Sequence, residues 1–434
     1  MQLGTFHARS REFTVVLAVL TAVLVLSILL FPERAFQSSL GGLTIWWTIV
    51  FPSLLPFLML SELLSGFGAI RGLGTLLEPA TRLLFRLPGI GGWVLSVGTV
   101  GGLPLGADAA SKLRLEKRVS REDGERLLAL SHVASPFFML TVLGAGFLHS
   151  PEAGAAIAII HYAAAIGMGV LMRFLWRTPP GDLPDAPLPG TTTVLQTKRK
   201  PVRTRNSLLI RAMSDMHAAR LEDGRSLGKL LGDSVSNAIQ TLMMIGGTMI
   251  VFSVLLGVLD TAGIVGLLAD VVSVAFPSLS SPADSVRSML SGLLELHIGT
   301  NRLSASGGMP DAATAALIGA ALAWSGAAVH LQVQTAVRHT DFRYVSFLLS
   351  RLLHAGLAVV LTFVLWRPLT GWLSRIQPSF LPESGADPVQ PVTLDAWSLW
   401  AAAPYRMLDL ALVLAGLAAM SIALSVLLRF RKPS

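Results

Sequence analysis

Apolar residues in this chain gather into blocks about as long as a bilayer's hydrocarbon core requires, roughly 20 residues each. The blocks are Phe13–Phe31 and residues 41–65, 127–149, 153–176, 235–259, 311–336, 345–366 and 404–428. Each reads as a helix crossing a membrane, so eight crossings are expected, with both termini on one side. The first block follows Arg9 and Arg11 and runs into Pro32, Glu33 and Arg34 rather than a small-residue cleavage site. It is therefore expected to remain as an uncleaved span.

Two other apolar stretches do not suit a crossing. Pro88–Ala107 reads PGIGGWVLSVGTVGGLPLGA and Ser285–Gly308 reads SVRSMLSGLLELHIGTNRLSASGG. Both hold glycine, proline or polar residues at the centre, where a spanning helix is most apolar. Each is expected to be a re-entrant hairpin, two half-helices joined by unwound backbone. Such backbone survives at membrane depth only where protein or a water-filled cavity surrounds it. Amphipathic segments precede both hairpins, Phe67–Leu87 with Arg71, Glu78, Arg82 and Arg86, and Thr261–Pro277. These suit helices lying in the interface.

The order span, interfacial helix, hairpin and two spans occurs twice, at about 41–176 and 235–366. Gly106 to Ser131 is 25 residues, and the matching interval from Gly299 to Ser325 is 26. An odd number of topological steps separates the copies, so they are expected to be inverted, as in many secondary transporters. Outside the repeats, 1–40 carries the N-terminal span and 177–234 a basic cytoplasmic linker. Proline and charge in Thr178–Lys229 mark it as mobile. Residues 367–434 hold an outer loop, Leu373–Leu394, and the last span. The expected fold class is an all-α polytopic membrane protein of about eight transmembrane helices plus two re-entrant hairpins.

Composition agrees. A chain of 434 residues could form two or three soluble domains, but 52% hydrophobic and 14% charged residues exclude that. The net charge of +8 lies in the connections Lys112–Arg126, Arg177–Lys229 and Arg338–Arg343 and in the C-terminal tail. Of 34 Lys and Arg, only Arg34, Arg287, Arg302, Arg367, Arg375 and Arg406 fall on the outer side. That is the positive-inside pattern, which makes the lipid bilayer the partner and sets nucleic acid aside. Cysteine is absent, which excludes disulfides and thiolate chemistry. Hydrolase, zincin and P-loop signatures are missing; the closest approach, Gly224 to Leu230, is one residue short and lacks the hydroxyl. No enzyme activity is expected.

Four polar clusters fall at membrane depth. The first hairpin brings Thr99, Gly101, Gly102, Pro104 and Gly106, with Asp108 and Lys112 just beyond. Ser131, His132 and Ser135 precede Pro136, which removes a backbone donor and opens that span. The second hairpin supplies Glu295, His297, Gly299, Thr300, Asn301 and Arg302, and the last cluster is Ser325 and His330 with Gln332. Half-helix N-termini favour a carboxylate or another anion. Substrate contacts are thus expected from Thr99, Gly101, Gly102, Pro104, Gly106, Ser131, His132, Ser135, Thr300, Asn301, Arg302, Ser325 and His330. Glu295, His297 and Asp108 are expected in coupling or structural roles, with a proton or Na+ as the coupling ion. The competing readings are that the glycines serve packing, that Glu295 accepts backbone hydrogen bonds, and that Asp108 pairs with Lys112. His161 and His354, isolated on apolar faces, read as packing residues. His132, His297, His330 and Glu295 lack metal-ligand spacing, so neither a metal nor a resident cofactor is expected.

Several segments are similar to a known family. VFPSLLPFLMLSELL (50–64), LLEPATRLLFRLPGIGG (76–92), the G-x-P-x-G-A run at 102–107, ERLLALSHVASPFF (125–138), GLLELHIG (292–299) and WSGAAVHLQV (324–333) resemble the YlbJ, or SpoVV, sporulation integral membrane proteins. The resemblance runs in order over roughly 40–366. It implies a nucleoside-recognition or "Gate" domain related to concentrative nucleoside transporters. It also implies transport of dipicolinic acid across the outer forespore membrane. Family members tend to carry lysine where this chain has Asp108, and an N-x-x-N-P pattern where it has His132 and Ser135. The expected function is a secondary transporter of a small organic anion. The alternatives are a carrier of nucleosides or other small solutes, and a non-transporting sporulation scaffold. A homo-oligomer is compatible with either.

Overall fold

The computed structural model describes residues 11–175, 207–275, 282–305 and 310–374. The block at 404–428, most of the loop at 373–394 and the first half of the linker lie outside the described residues. Within them every regular element is helical, and five helical runs are long and apolar enough to cross a membrane. The chain is a polytopic, all-α membrane protein.

After α1 (Arg11–Leu30), α2 (Pro32–Ile45), a π-helical stretch (Trp46–Val50) and α3 (Phe51–Gly66) form one continuous run of 35 residues. Pro52 and Pro56 withhold two backbone donors from this helix, which accounts for the widened turn just before them. Then come α4 (Ala69–Phe85), α5 (Gly91–Gly101), α6 (Leu105–Leu115), α7 (Arg121–Ser131), a π-helical stretch (Phe138–Phe147) and α8 (Pro151–Leu175). The second half begins with α9 (Leu208–Asp223) and the 35-residue α10 (Leu227–Thr261). It continues with α11 (Ile264–Ala275), α12 (Pro282–Leu294), α13 (Leu296–Leu303), α14 (Ala312–Trp324), α15 (Gly326–Val337) and α16 (Tyr344–Leu373).

The same sequence of shapes occurs in both halves: a long helix, a short one, a pair of half-helices, an interrupted helix and another long helix. Counterparts also pack on counterparts, α2 and α3 against α10, and α8 against α16. The first of these seams is keyed by Trp46, whose Nε1 donates to Leu242 O at 2.9 Å and whose ring fills the space that a side chain at Gly246 would need. Small residues let membrane helices approach this closely.

The linker region differs from its expected reading. Its second half forms α9, capped by Ser207, which docks along α4. Asp215 accepts a hydrogen bond from Thr75 at 2.6 Å, while Arg71 pairs with Glu222 and Arg211 with Glu78, both at 2.8 Å. Charged residues that suggested a solvated tether are instead the docking contacts of an amphipathic helix. Gly224, in the run that approached a P-loop, terminates α9 with positive φ, and Ser226 then caps α10.

Candidate functional site

Four interruptions of helix, two from each half, come together. The first lies at Gly102–Pro104 between α5 and α6, and the second at His132–Ser135 between α7 and the π-helical stretch. The third is at Glu295 between α12 and α13, and the fourth at Ser325 between α14 and α15. Within each half the two breaks are packed on one another. A Cβ on Gly98 would lie 2.0 Å from Ser131 O, one on Gly106 2.6 Å from the same oxygen, and one on Gly102 3.3 Å from Ser135 Cβ. In the second half a Cβ on Gly326 would sit 3.0 Å from Leu296 N and 3.2 Å from Glu295 Cα. The halves then touch through their interrupted helices, with His132 Nε2 3.2 Å from Ser325 Oγ.

Unwound backbone buried in a membrane protein must find partners, and here they are identifiable. The break at 132–135 is served from α8 and α16. Ala134 N–H donates to His161 Nε2 at 3.2 Å, and Ala134 O accepts from Tyr162 at 2.8 Å. Arg351 donates to His132 O and to Ala129 O, both at 2.5 Å, occupying carbonyls at the open C-terminal end of α7. Ser135 Oγ accepts from Phe138 N–H at 3.2 Å and so restarts the helix.

Side chains serve the third and fourth breaks as well. Glu295 caps α13, its Oε2 accepting from Ile298 N–H and its Oε1 contacting His297 Nδ1, both at 2.7 Å. At the fourth break, Trp324 Nε1 donates to Leu293 O at 3.1 Å, tying it to the end of α12. His330 Nε2 lies 2.9 Å from Trp324 O, an acceptor only, so this nitrogen carries the proton and Nδ1 accepts from Tyr344 OH at 2.7 Å.

Of the residues singled out from the sequence, Gly102, Gly106, Ser131, His132, Ser135, Glu295 and Ser325 lie at this junction. His330 is buried beside it with both ring nitrogens engaged. Thr300 is fully buried, but its hydroxyl donates within its own helix, to Leu296 O at 2.8 Å. Thr99 and Pro104 are half-buried near the first break, and Gly101 faces Leu105 of its own hairpin. Asn301 and Arg302 stand near the C-terminal end of α13, away from the breaks. Asp108 and Lys112 are both exposed and form no ion pair with each other, which removes the competing reading of Asp108 as a partner of Lys112. Among the described residues, no group of three or more His, Asp and Glu could hold a metal ion.

Arg351, Tyr162, Tyr344 and Trp324 were not singled out from the sequence. Arg351 carried a usable signal, being a permanent charge inside the apolar block at 345–366. His161 and His354, read as packing residues, do more than fill space. His161 accepts an amide of the first interrupted helix, and His354 Nε2 lies 3.1 Å from His161 O.

The junction is closed. Ser131, His132, Ser135, Thr300 and Ser325 are all buried. Two cavities, of about 130 and 340 Å3, lie elsewhere, one between α1, α2 and α10 and the other beside Arg71, Trp93 and Glu222.

These features define a polytopic helical membrane protein of two like-ordered halves whose interrupted helices meet at one buried polar junction. Among curated proteins, the chain is 33% identical over 394 residues to the sporulation integral membrane protein YlbJ of Bacillus subtilis strain 168, covering 90% of this chain and 92% of that one. The chain belongs to the YlbJ family. No family model matches it, and no solved structure matches it.

Proposed function

We propose that the chain is a secondary transporter for a small organic anion. Dipicolinic acid is the favoured cargo, carried across the outer forespore membrane of a sporulating cell. The observation that carries this reading is the junction of four interrupted helices. Each break exposes backbone that must be re-satisfied inside the membrane, and Arg351, His161, Tyr162 and Glu295 are committed to doing so. A scaffold has no use for such an arrangement. A carrier does, because the same backbone groups can be lent to a cargo and taken back. On this reading the paired half-helices are re-entrant hairpins, the halves are inverted, and the closed junction is an occluded state.

Dipicolinate is a flat pyridine with a carboxylate on either side of its ring nitrogen. One carboxylate suits the half-helix N-terminus at Leu105, and the other suits that at Leu296 once Glu295 releases its cap there. Uptake of radiolabelled dipicolinate into proteoliposomes tests the assignment, with a nucleoside and other small acids as competitors. Saturable uptake that dipicolinate blocks best is expected. Uptake inhibited only by the nucleoside would move the assignment to the alternative cargo, and no uptake of any of them would favour the scaffold. The lack of cysteine supports a second experiment. Single cysteines at Gly102, Ser135, Thr300 and Ser325 should change their reactivity toward impermeant reagents when cargo is added.

A further inference from the structure

Arg351 stands apart from every other charged side chain in the interior. It is fully buried, on the packed face of α16 about two turns from its N-terminal end. Among the described residues, the buried Glu125 meets Arg343, the buried Arg126 meets Asp123, and Glu295 is held by the Ile298 N–H and His297 Nδ1. No carboxylate among the described residues lies within ion-pair distance of Arg351. Its guanidinium is held by neutral groups, the carbonyls of Ala129 and His132, with Met168 Sδ at 3.4 Å and His354 Nδ1 and Ser350 Oγ each at 3.5 Å.

A permanent charge inside a membrane protein is expensive, and such charges usually pair with one another. Neutral ligands solvate this cation without cancelling it, so its field reaches across a poorly screening interior. It stands directly behind the first interrupted helix. A second observation points to the same place. His132 Nδ1 and His161 Nδ1 are buried and have no hydrogen-bond partner among the described residues. Because His161 Nε2 accepts from Ala134 N–H, its Nδ1 carries a proton with no acceptor.

We propose that Arg351 is the charge-selecting residue of the junction, a positive charge that a carboxylate of the cargo neutralises when the break at 132–135 opens. This rests on the transport reading and adds to it the residue that makes the cargo an anion. The carbonyls of Ala129 and His132 stand in for the carboxylate while the site is empty of cargo. Arg351 acts as a positioning and selecting group, and the unpartnered His161 N–H is a further donor on the same side.

The test compares binding of dipicolinate with that of its neutral isostere, pyridine-2,6-dicarboxamide, to the purified full-length protein. Met168→Glu places a carboxylate beside the guanidinium and cancels its charge while Arg351 stays in place. Arg351→Gln removes the charge and Arg351→Lys keeps it, with thermal melting checking that each variant is folded. Met168→Glu and Arg351→Gln should weaken dipicolinate at least tenfold and leave the dicarboxamide within about threefold, a change of preference that mere loosening of the fold would not give. Arg351→Lys should keep the wild-type preference. If Arg351→Gln fails to fold, Met168→Glu decides the matter. A folded Met168→Glu that binds dipicolinate like the wild type overturns the inference. Should the wild type bind another carboxylate instead of dipicolinate, the cargo assignment falls and the Arg351 comparison is read on that acid. A wild type that binds only neutral solutes overturns both.

Discussion

The two half-helix pairs solve one problem by different means. Between α5 and α6 the backbone itself makes the break. Gly102 has φ +72° and ψ −161°, a conformation essentially confined to glycine. The pair is then pressed onto the interrupted helix of its own half through Gly98 and Gly106. Between α12 and α13 the backbone is ordinary, since Glu295 is extended, and a side chain makes the break by capping the next helix. The glycines of this pair, Gly292 and Gly299, close it on itself, a Cβ on Gly299 falling 2.2 Å from Gly292 Cα. The first pair is therefore welded to its neighbour by its own glycines, whereas the second meets its neighbour through Gly326 and Trp324 and is latched internally by one carboxylate. If one of them moves during a transport cycle, this asymmetry selects the second.

The largest expected effect tests the weld. Gly98→Ala drives a methyl group into Ser131 O, a backbone atom in a buried segment. Overpacking of this kind costs about 1–3 kcal/mol and more where backbone must yield, so a loss of about 3 kcal/mol is expected. Thermal unfolding in detergent measures it, and a variant melting within a degree or two of the wild type would break the comparison. Glu295→Ala tests the latch. It removes the cap on Ile298 and leaves His297 Nδ1 without its partner, which should cost about 2 kcal/mol. Glu295→Gln retains an acceptor for Ile298 and should melt nearly like the wild type. Transport by Glu295→Gln is expected to be lost, because the amide cannot take up or release a proton. Normal transport would leave Glu295 as a latch and nothing more.

How far the sequence disclosed this arrangement follows from what marks each element. Long apolar helices are legible because the bilayer demands their length and apolarity together, so Pro151–Leu175 and Tyr344–Leu373 fall close to the blocks at 153–176 and 345–366. Gly102, Pro136 and Glu295 were legible as breaks, since each is out of place at the centre of a span. What was hidden is the set of groups that make the breaks affordable. Arg351, Tyr162 and Trp324 serve backbone on other helices, and although the charge of Arg351 is out of place in its apolar block, nothing local says which backbone it serves. The helix α9 was hidden for a related reason. Its charged face looked solvated until α4 supplied Thr75, Arg71 and Glu78 as partners.

A smaller effect concerns the contact between the halves. His132 Nε2 and Ser325 Oγ meet at 3.2 Å, and the Ser325 hydroxyl also lies 3.2 Å from Leu322 O. A double-mutant cycle of His132→Ala and Ser325→Ala should return a coupling of about 1 kcal/mol, typical of one neutral hydrogen bond. A coupling of zero would mean that this contact adds nothing to the other ties between the halves. Cargo should change the coupling if the junction is where it binds.

The smallest effect lies at the loop joining α15 to α16, where two ion pairs bridge the halves. Glu125 is buried and receives the Arg343 side chain at 2.7 Å and its backbone N–H at 2.8 Å. Asp341, by contrast, is half-exposed and meets Arg114 at 2.8 Å. The Arg114 hydrogen bonds hold the Asp341 carboxyl below its ordinary value of 3.8. A carboxylate whose pKa is depressed on folding contributes stability above its unfolded pKa and loses it as pH falls through the folded one. Asp341→Asn should therefore melt slightly lower than the wild type at pH 6, and the gap should close as pH drops below about 4. Solvent screening of so exposed a pair keeps the gap well under about 1 kcal/mol, and added salt should narrow it further. Melting curves of both proteins from pH 3 to 6 measure it. A gap that persists unchanged at pH 3 would show that Asp341 holds the loop by something other than its charge, leaving Glu125 as the one ionic tie between the halves at this end among the described residues.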